Sequence, residues 1–352
     1  MIHDRIRRAR VLRGLSLEEV AQRLGDISKQ ALSKFEKGGA VPNSTRLLQL
    51  AKVLNVKPEY FFRADAVALA PLEFRKLAKM PKYRQEQVEE QMREHLERYI
   101  ALERCFDAAD VAVEATPTHF MPVSSVEAAE EAARKLRMDW AIGGDAIANL
   151  TELLEDHGIK VALLDGPEDF DGACAATHDE QHVLIALNRT RPGERMRFTA
   201  AHELGHWVMS LPEEMPEKEK EACCHRFAGA FLYPKDQVVL DFGGHKRSRV
   251  HPVELLNAKR RYGVSMQVAL RRLKDLQLLS DAGYQSIFIQ FSKNGWRSAE
   301  PEPMPAEEPR RFESLVFWGL AEDLFSPSRA SEFLQRPIDQ LEPSLQVSTV
   351  TA

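Results

Sequence analysis

The sequence predicts an α+β multidomain protein with an all-α, five-helix N-terminal domain, a mixed α+β body and a small, mostly helical C-terminal region. Residues 1–63 contain five short helical segments, three of them closed by glycine. Residues 124–275 combine amphipathic helices with short apolar runs typical of strands. Residues 276–352 return to a mostly helical pattern before a polar end. A connector with one long helix, residues 64–123, joins the first two parts.

The composition is that of a soluble protein with real hydrophobic cores, but its charge is unevenly distributed. The 352 residues are 44% hydrophobic and carry a formal net charge of -5. Residues 1–63 hold 13 Lys and Arg against 6 Asp and Glu, so only this basic segment is suited to a polyanion. The sequence shows no run of about 18 apolar residues and no secretory signal. Its four cysteines form no paired framework, so we expect a cytoplasmic protein with no membrane contact.

The N-terminal segments predict a helix-turn-helix arrangement. One helix opens at Ser16 with Glu19 three residues later, which is a capping box, and stops at Gly25. Another helix follows after a tight turn, and such a pair places its second helix in the major groove of DNA. A small helical bundle for dimer or partner contacts is the alternative. The predicted DNA contacts are the outward-facing residues of the second helix: Ser28, Lys29, Gln30, Ser33 and Lys34.

A resemblance to a known family favours the DNA-binding interpretation. The run RIRRARVLRGLSLEEVAQRLGDISKQALSKFEKGGAVPNSTRLLQLAKVLNV resembles the Xre/Cro family of repressor DNA-binding domains along its whole length. The resemblance implies a lambda-repressor-like fold and sequence-directed binding to a double-stranded DNA operator. Repressors of this kind usually bind as dimers, so we also expect a homodimer.

The connector contains one strongly helical stretch, RQEQVEEQMREHLERYIALERCF. One face is charged and the other is an apolar stripe. The stripe could be the seam of a coiled-coil dimer, which the repressor resemblance favours, or it could pack onto the next domain. Its members are Val88, Met92, Leu96, Tyr99, Ile100 and Leu102.

The body begins with two predicted helices and continues with a small mixed sheet. The first helix opens at Ser124, where Glu127 completes a second capping box, and GGDAIANLTELLEDHG forms the second. IKVALLD predicts a buried strand, while ACAATH and HVLIALN flank the turn DEQ as an antiparallel hairpin. The last strand, residues 182–188, is expected near the next helix at a sheet edge, where it could bind an extended peptide by strand addition.

The next helix carries the motif HELGH. His202 and His206 are four residues apart, so they project from one helix face. Neutral imidazoles at this spacing suit Zn²⁺ at about 2.0–2.1 Å. Glu203 lies off the ligand line, where it can take a proton from a zinc-bound water and pass it to a leaving amine. Two ordinary helix histidines beside a surface glutamate are the alternative. The helix is mostly apolar, however, and ionisable residues on a buried helix need a reason.

The following helix, EKEKEACCHRFAGAFLYP, offers a third ligand. His206 lies near the end of the first helix and Glu221 near the start of the second, so an antiparallel pair places them at one level. Glu221 therefore completes a His–His–Glu site for one zinc ion per chain and leaves a fourth position for water. His225, one turn further, could be an alternative ligand, a partner that orients a ligand, or a group that stabilises the oxyanion.

FTAAHELGHWVM together with this second helix resembles the ImmA/IrrE metallopeptidases, over about residues 124–275. The family's usual Ala-Asn pair is Cys224-His225 here, so the chain departs from the pattern at position 225. The resemblance implies a thermolysin-like zinc fold and a regulatory protease whose substrate is a helix-turn-helix repressor. The family's second signature, a glutamate and then an apolar helix, is matched by Glu221, Phe227, Ala228, Phe231, Leu232 and Pro234.

Several further residues near this site have the right chemistry for a role in it. Thiolates bind zinc, but Cys223 lies on a different face of the helix from Glu221, so Cys223 and Cys224 are interpreted as small buried residues. Tyr233, Tyr262 and His251 are candidate transition-state donors, which the sequence does not rank.

The tail is less informative. QSIFIQFS predicts a strand, and EPEPMPAEEP a linker or an ordered loop. FESLVFWGLAEDLFSPSRASEFLQRPIDQL is helical, and its charge favours a packing or oligomer role over DNA binding. The last ten residues are expected to be disordered.

Together these features predict a DNA-binding transcriptional regulator with a zinc-dependent endopeptidase domain. The peptidase would cleave a regulatory protein, either this chain or a repressor, by attack of a zinc-bound water assisted by Glu203, and its activity is expected to be restrained. One alternative is a repressor whose metallo-domain senses a ligand or metal without hydrolysis. Another is an antitoxin-like or phage-related regulator. The presence of Glu203 argues against a sensor, because a sensor needs metal ligands but no general base.

Overall fold

The computed structural model describes residues 1–63, 67–70, 80–113 and 119–337. The predicted disorder of the last ten residues lies outside the described part of the chain. The chain divides into two compact units, here called the N-terminal unit and the central unit. The N-terminal unit comprises Met1–Ala112, Thr177–Asp179 and Phe312–Ala352. The central unit comprises Val113–Ala176 and Glu180–Arg311.

The helices are given in chain order. The first six are α1 (Ile2–Leu12), α2 (Leu17–Leu24), α3 (Lys29–Glu36), α4 (Ser44–Val53), α5 (Lys82–Glu103) and α6 (Ala108–Val111). The next five are α7 (Val126–Asp139), α8 (Leu150–Asp156), α9 (Gly193–Val208), α10 (Glu217–Leu232) and α11 (Lys235–Phe242). The last five are α12 (Pro252–Tyr262), α13 (Met266–Asp275), α14 (Asp281–Lys293), α15 (Arg311–Ala321) and α16 (Pro327–Leu334). A 3₁₀ helix, Pro58–Phe62, follows α4.

The strands found among the described residues are short and belong to the central unit. β1 (Met121–Pro122) and β5 (Met209–Ser210) form a parallel pair. β2 (Ile159–Leu164), β3 (Gly172–Ala176) and β4 (Val183–Asn188) form a three-stranded sheet in the order β2-β4-β3.

The N-terminal bundle forms where the sequence predicts it. The Ser16 hydroxyl accepts a hydrogen bond from the Glu19 N–H at 3.1 Å, and the Glu19 carboxylate accepts one from the Ser16 N–H at 2.7 Å, so the predicted capping box is confirmed. Gly25 ends α2 at a φ of 80°, in the left-handed region that favours glycine. The fifth predicted segment is a 3₁₀ helix, whose Phe61 packs with Ile6 and Leu32 in the bundle core.

The predicted long helix of the connector is present as α5, but its apolar stripe is buried within the N-terminal unit. Val88, Met92 and Leu96 are at most 1% exposed, and α5 packs against α1. Tyr99 packs with Phe333 of α16, which gives the helical tail the predicted packing role. Because the stripe is covered by the chain itself, it cannot serve as a coiled-coil seam, and the homodimer stays a prediction.

The charged face of α5 is also used for packing against α1. Arg5 Nη1 lies 2.7 Å from Glu97 Oε2, and Arg8 Nη2 lies 2.7 Å from Glu97 Oε1. Arg8 Nε also bonds Glu90 Oε1 at 2.5 Å. These buried ion pairs join the first helix of the bundle to α5.

The three-stranded sheet confirms the hairpin and corrects one strand. β3 and β4 pair antiparallel, with Cys174 opposite Ile185, as predicted. β4 also pairs with β2 in parallel, so it is the central strand and all six of its residues are buried. The prediction of an edge strand at 182–188 is therefore wrong, since both of its hydrogen-bonding sides are occupied. The edges are β2 and β3.

Two helix starts in the central unit differ from the predicted ones. The cap of α7 is Ser125, whose hydroxyl accepts from the Ala128 N–H at 3.2 Å. The predicted capping box of Ser124 and Glu127 is therefore wrong, because the helix starts one residue later and Ala128 cannot return the bond. α8 begins only after Asn149, whose side chain accepts from the Glu152 N–H at 3.1 Å. This local cap favours a later start than the predicted one at Gly143.

The predicted strand QSIFIQFS is wrong, because it forms part of α14. The Ser280 hydroxyl caps this helix by accepting from the Gly283 N–H at 3.1 Å. Ile287 and Phe291, four residues apart, are buried, whereas Ile289 is 56% exposed. The apolar residues therefore follow the period of a helix with one buried face.

The acidic, proline-rich segment 300–309 is an ordered loop, one of the two predicted alternatives. The Met304 carbonyl accepts from the Gly193 N–H at 3.1 Å at the start of α9. Glu307 Oε2 accepts from the Leu150 and Thr151 N–H groups at 3.0 and 3.1 Å. The loop thus satisfies the first N–H groups of two helices. None of the described helices combines the length and apolar character that a membrane crossing demands.

Candidate metal centre and DNA-binding helix

The candidate centre is built on α9 and α10, which pack directly against each other. α9 starts after Pro192 and α10 after Pro216, and proline suits a position beside the first turn of a helix. Gly205 permits their close approach, because a Cβ there would lie 2.9 Å from Phe227 Cδ1. Gly205 directly precedes His206, so the two helices are closest beside the predicted metal ligands.

The three predicted metal ligands meet at one point. His202 Nε2 lies 3.1 Å from His206 Nε2 and 3.4 Å from Glu221 Oε2. His206 Nε2 lies 3.2 Å from Glu221 Oε1. A tetrahedral ion about 2.05 Å from each donor holds donors about 3.3 Å apart. The spacing of these side chains therefore fits zinc without rearrangement.

Two further donors lie beside this triad. Ligand atoms of His202, His206 and Cys224 are within 4.8 Å of one another, and so are those of His202, Glu221 and His225. Cys224 is fully buried, three residues after Glu221 on α10. The sequence analysis interpreted Cys224 as a small buried residue. Its i+3 spacing from Glu221 was the signal that could have placed it among the donors.

His225 stands between the donor cluster and solvent. Its Nδ1 lies 2.7 Å from the Glu221 carbonyl oxygen, so this nitrogen carries the proton and Nε2 faces away from the helix backbone. Its ring meets that of His202 edge-to-face at 4.5 Å between centroids. The ring also approaches Phe198 at 5.9 Å. These contacts fix the orientation of His225 beside His202.

Glu203 is buried and follows His202 on α9. α9 packs against β3, and burial together with the Glu203 charge raises the pKa of the Cys174 thiol on that strand. This buried position, directly after a predicted metal ligand, suits the predicted role of Glu203 in proton transfer.

A cleft of 500 Å³ opens beside the centre. Glu221 and His225 line it together with Phe198, so the donor cluster is reached from this side. Arg226 and Arg272 also line the cleft, and both bind Glu130. Burial would raise the pKa of the Glu130 carboxyl, but the two guanidinium groups hold it below its usual value.

The predicted DNA contacts lie on or beside α3. Lys29, Gln30 and Lys34 are exposed, whereas Ser33 is half-buried. Ser28 is the cap of α3, and its hydroxyl accepts from the Ala31 N–H at 3.2 Å. Lys29 Nζ lies 3.7 Å from Glu18 Oε2 on the preceding helix.

Comparison with protein families assigns both regions. Residues 6–61 match the helix-turn-helix family model. Residues 154–274 match the model of the IrrE N-terminal-like domain, a family of M78 peptidases. The chain joins a helix-turn-helix domain to an IrrE N-terminal-like domain. Both resemblances stated from the sequence are thereby confirmed, and no curated protein matches the chain.

The IrrE-like region contains all of the candidate metal ligands, and its family implies a bound metal. The region also contains the three candidate transition-state donors Tyr233, Tyr262 and His251, and each of them makes a structural contact. The Tyr233 hydroxyl donates to Asp241 at 2.7 Å, and the Tyr262 hydroxyl lies 3.0 Å from Gln237 Oε1. The His251 Nδ1 accepts from the Val253 N–H at 3.3 Å, at the cap of α12. These contacts leave His225 as the better-placed candidate.

Proposed function

We propose that this protein is a transcriptional regulator that binds an operator through α3 and carries a zinc-dependent endopeptidase in its central unit. The observation that carries the proposal is the meeting of His202, His206 and Glu221 within 3.4 Å on two packed helices, next to Glu203. We propose a regulatory protein as the substrate, either a helix-turn-helix repressor or this chain itself. The family matches support the two domain types.

The residues of the centre have three kinds of role in peptide hydrolysis. His202, His206 and Glu221 would hold the zinc ion, which when bound acidifies water and polarises a carbonyl group. Glu203 takes a proton from the attacking water and passes it to the leaving amine nitrogen. In its protonated form, His225 donates from Nε2 to the developing oxyanion. Its Nδ1 stays bonded to the Glu221 carbonyl, which keeps the ring oriented.

Zinc content tests the ligand set directly. We expect about one zinc per chain in the wild type, a value near zero in His202→Ala and Glu221→Ala, and full retention in Glu203→Gln, since Glu203 is off the ligand line. The measurement is elemental analysis of protein purified without chelators. His245→Ala, at an exposed histidine outside the cluster, is the matched control. Retention of zinc in both ligand variants would contradict the assignment.

Operator recognition by α3 makes a separate prediction. Gln30→Ala should weaken operator binding by about 1–3 kcal/mol and leave binding to random DNA almost unchanged, because Gln30 is exposed and can read a base edge. Lys34→Ala should weaken binding to the operator and to random DNA alike. It should also lower the slope of log binding constant against log salt concentration by about 1. The measurement is fluorescence anisotropy on a fragment selected from a random pool, at several salt concentrations. Lys293→Ala, exposed in the central unit, is the control, and equal losses in all three variants would overturn the assignment.

A metal-sensing repressor without hydrolysis is the second candidate. Cys224 favours it, because this thiol would be a fourth protein donor beside His202, His206 and Glu221, and a site with four protein ligands needs no open position. Retention of Glu203 favours the peptidase. The homodimer is proposed from the DNA-binding family alone, and it must use a surface other than the buried stripe of α5.

A further inference from the structure

A second cavity lies in the N-terminal unit. Its volume is 350 Å³, within the range of about 300–1,000 Å³ common for small-molecule sites. The end of α1, the turn after α4, the 3₁₀ helix, α5 and α16 with the residues after it form its walls. The proposed metal centre contributes none of its lining residues.

Two buried polar side chains in its wall have an atom without a hydrogen-bond partner among the described residues. They are Tyr60, through its hydroxyl, and Glu94, through Oε2, and each residue is only 3% exposed. Buried polar atoms almost always have a partner, and leaving one unpaired costs about 1–3 kcal/mol. A hydrogen-bonding ligand in the cavity would remove this cost.

The same wall carries cations that the described chain leaves without a carboxylate in ion-pair range. The Arg13 guanidinium donates only to backbone carbonyls, those of Leu54 at 2.8 Å and Asn55 at 2.5 Å. Lys57 Nζ reaches only the Ser328 carbonyl, at 3.4 Å. Arg63, by contrast, binds both Glu94 and Glu332. Burial lowers the pKa of Arg13, and the charge of Glu94 offsets only part of this effect.

We infer that this cavity binds a small organic anion, a carboxylate or a phosphate ester, that also carries a hydroxyl group. The anionic group is held by Arg13 and Lys57, and the hydroxyl bonds Glu94 and Tyr60. Glu94 already has Arg63 at 3.0 Å, so it needs a neutral donor rather than another cation.

Occupation of the cavity is coupled to the DNA-binding helix through packing. Tyr60 belongs to the same hydrophobic core as Leu32, which anchors α3. Glu94 of α5 and Glu332 of α16 both line the cavity. This coupling rests on the proposed role of α3 in DNA binding: a ligand that bonds Tyr60 acts on the core that holds α3, and the cavity is then an effector site of the regulator.

Isothermal titration calorimetry on the full chain tests the inference, with glycerate and glycerol 3-phosphate as probes. Acetate lacks the hydroxyl and glycerol lacks the anion, so both should bind at least tenfold more weakly. Comparison of the two probes decides between carboxylate and phosphate. Failure of both probes to bind at millimolar concentration would overturn the inference.

Two variants then test separately the part of the site that binds the hydroxyl group and the part that binds the anionic group. Tyr60→Phe and Lys57→Met should each weaken the better probe roughly three- to tenfold, the size of one hydrogen bond or ion pair. Tyr60→Phe should not lower the melting temperature of the ligand-free protein, because its hydroxyl has no partner to lose. Tyr83→Phe, at an exposed tyrosine of α5, is the matched control. Unchanged binding in both site variants would refute the site, and the test requires no metal or peptidase activity.

Discussion

Glu203→Gln is expected to lower peptide cleavage by about 10²- to 10⁴-fold while retaining its metal. The glutamine side chain keeps the shape of the glutamate but cannot accept the proton that the attacking water must lose. Glu203 is 5% exposed and follows His202 on α9, so a carboxylate dissolved in the solvent cannot take its place. The effect falls on the rate of the chemical step, because substrate contacts elsewhere in the cleft are unchanged.

The measurement is cleavage of a repressor and of a peptide library, followed by mass spectrometry, with zinc content determined on the same samples. Glu214→Gln, an exposed acid in the turn between α9 and α10, is the matched control and should cleave at the wild-type rate. Wild-type cleavage by a zinc-loaded Glu203→Gln variant would remove Glu203 as the base. Full zinc occupancy with no cleavage by any form of the protein, on any substrate, would favour the metal sensor.

Much of the metal centre could be predicted because its information is local. The four-residue spacing of His202 and His206 follows from helix geometry alone. Placing Glu221 at the same level as His206 needs only one further assumption, that the two helices are antiparallel. Caps such as Ser16 with Glu19 are equally local, and they form as predicted.

The failures involve partners far along the chain. β4 could be assigned as a strand, but its central place depends on β2, more than ten residues upstream. A dimer seam is the favoured of two interpretations of the α5 stripe, because the sequence does not reveal that α1 and the tail cover it. In α14, β-branched and aromatic residues favour a strand locally, and burial of Ile287 with Phe291 decides for a helix. Glu307, as the partner of the α8 N-terminus, has no local signal.

Lys259→Met should destabilise the central unit by about 3–5 kcal/mol, the usual cost of breaking a buried ion pair. Lys259 Nζ lies 2.5 Å from Glu194 Oε1 and 3.2 Å from Glu300 Oε2, and its side chain is 1% exposed. Glu194 is in the first turn of α9, and Glu300 accepts from the Met266 N–H at the start of α13 at 2.7 Å. Without the ammonium group, two buried carboxylates lose their shared cation.

Urea unfolding followed by tryptophan fluorescence measures the loss. Arg260→Met is the matched control, because the neighbouring Arg260 pairs with Glu302 in an exposed ion pair worth about 0–1 kcal/mol. Equal losses in the two variants would contradict the role of burial.

A triple variant separates the cost of breaking this network from the net worth of the network. Lys259→Met combined with Glu194→Gln and Glu300→Gln removes all three charges, so it should recover a large part of the loss. The neutral amides can still accept from the N–H groups of Met304 and Met266, which the two carboxylates now cap. Full recovery would mean that the network contributes little net stability. The part of the unfolding free energy that is not recovered would measure how much the charges stabilise the start of α9, the helix that carries His202.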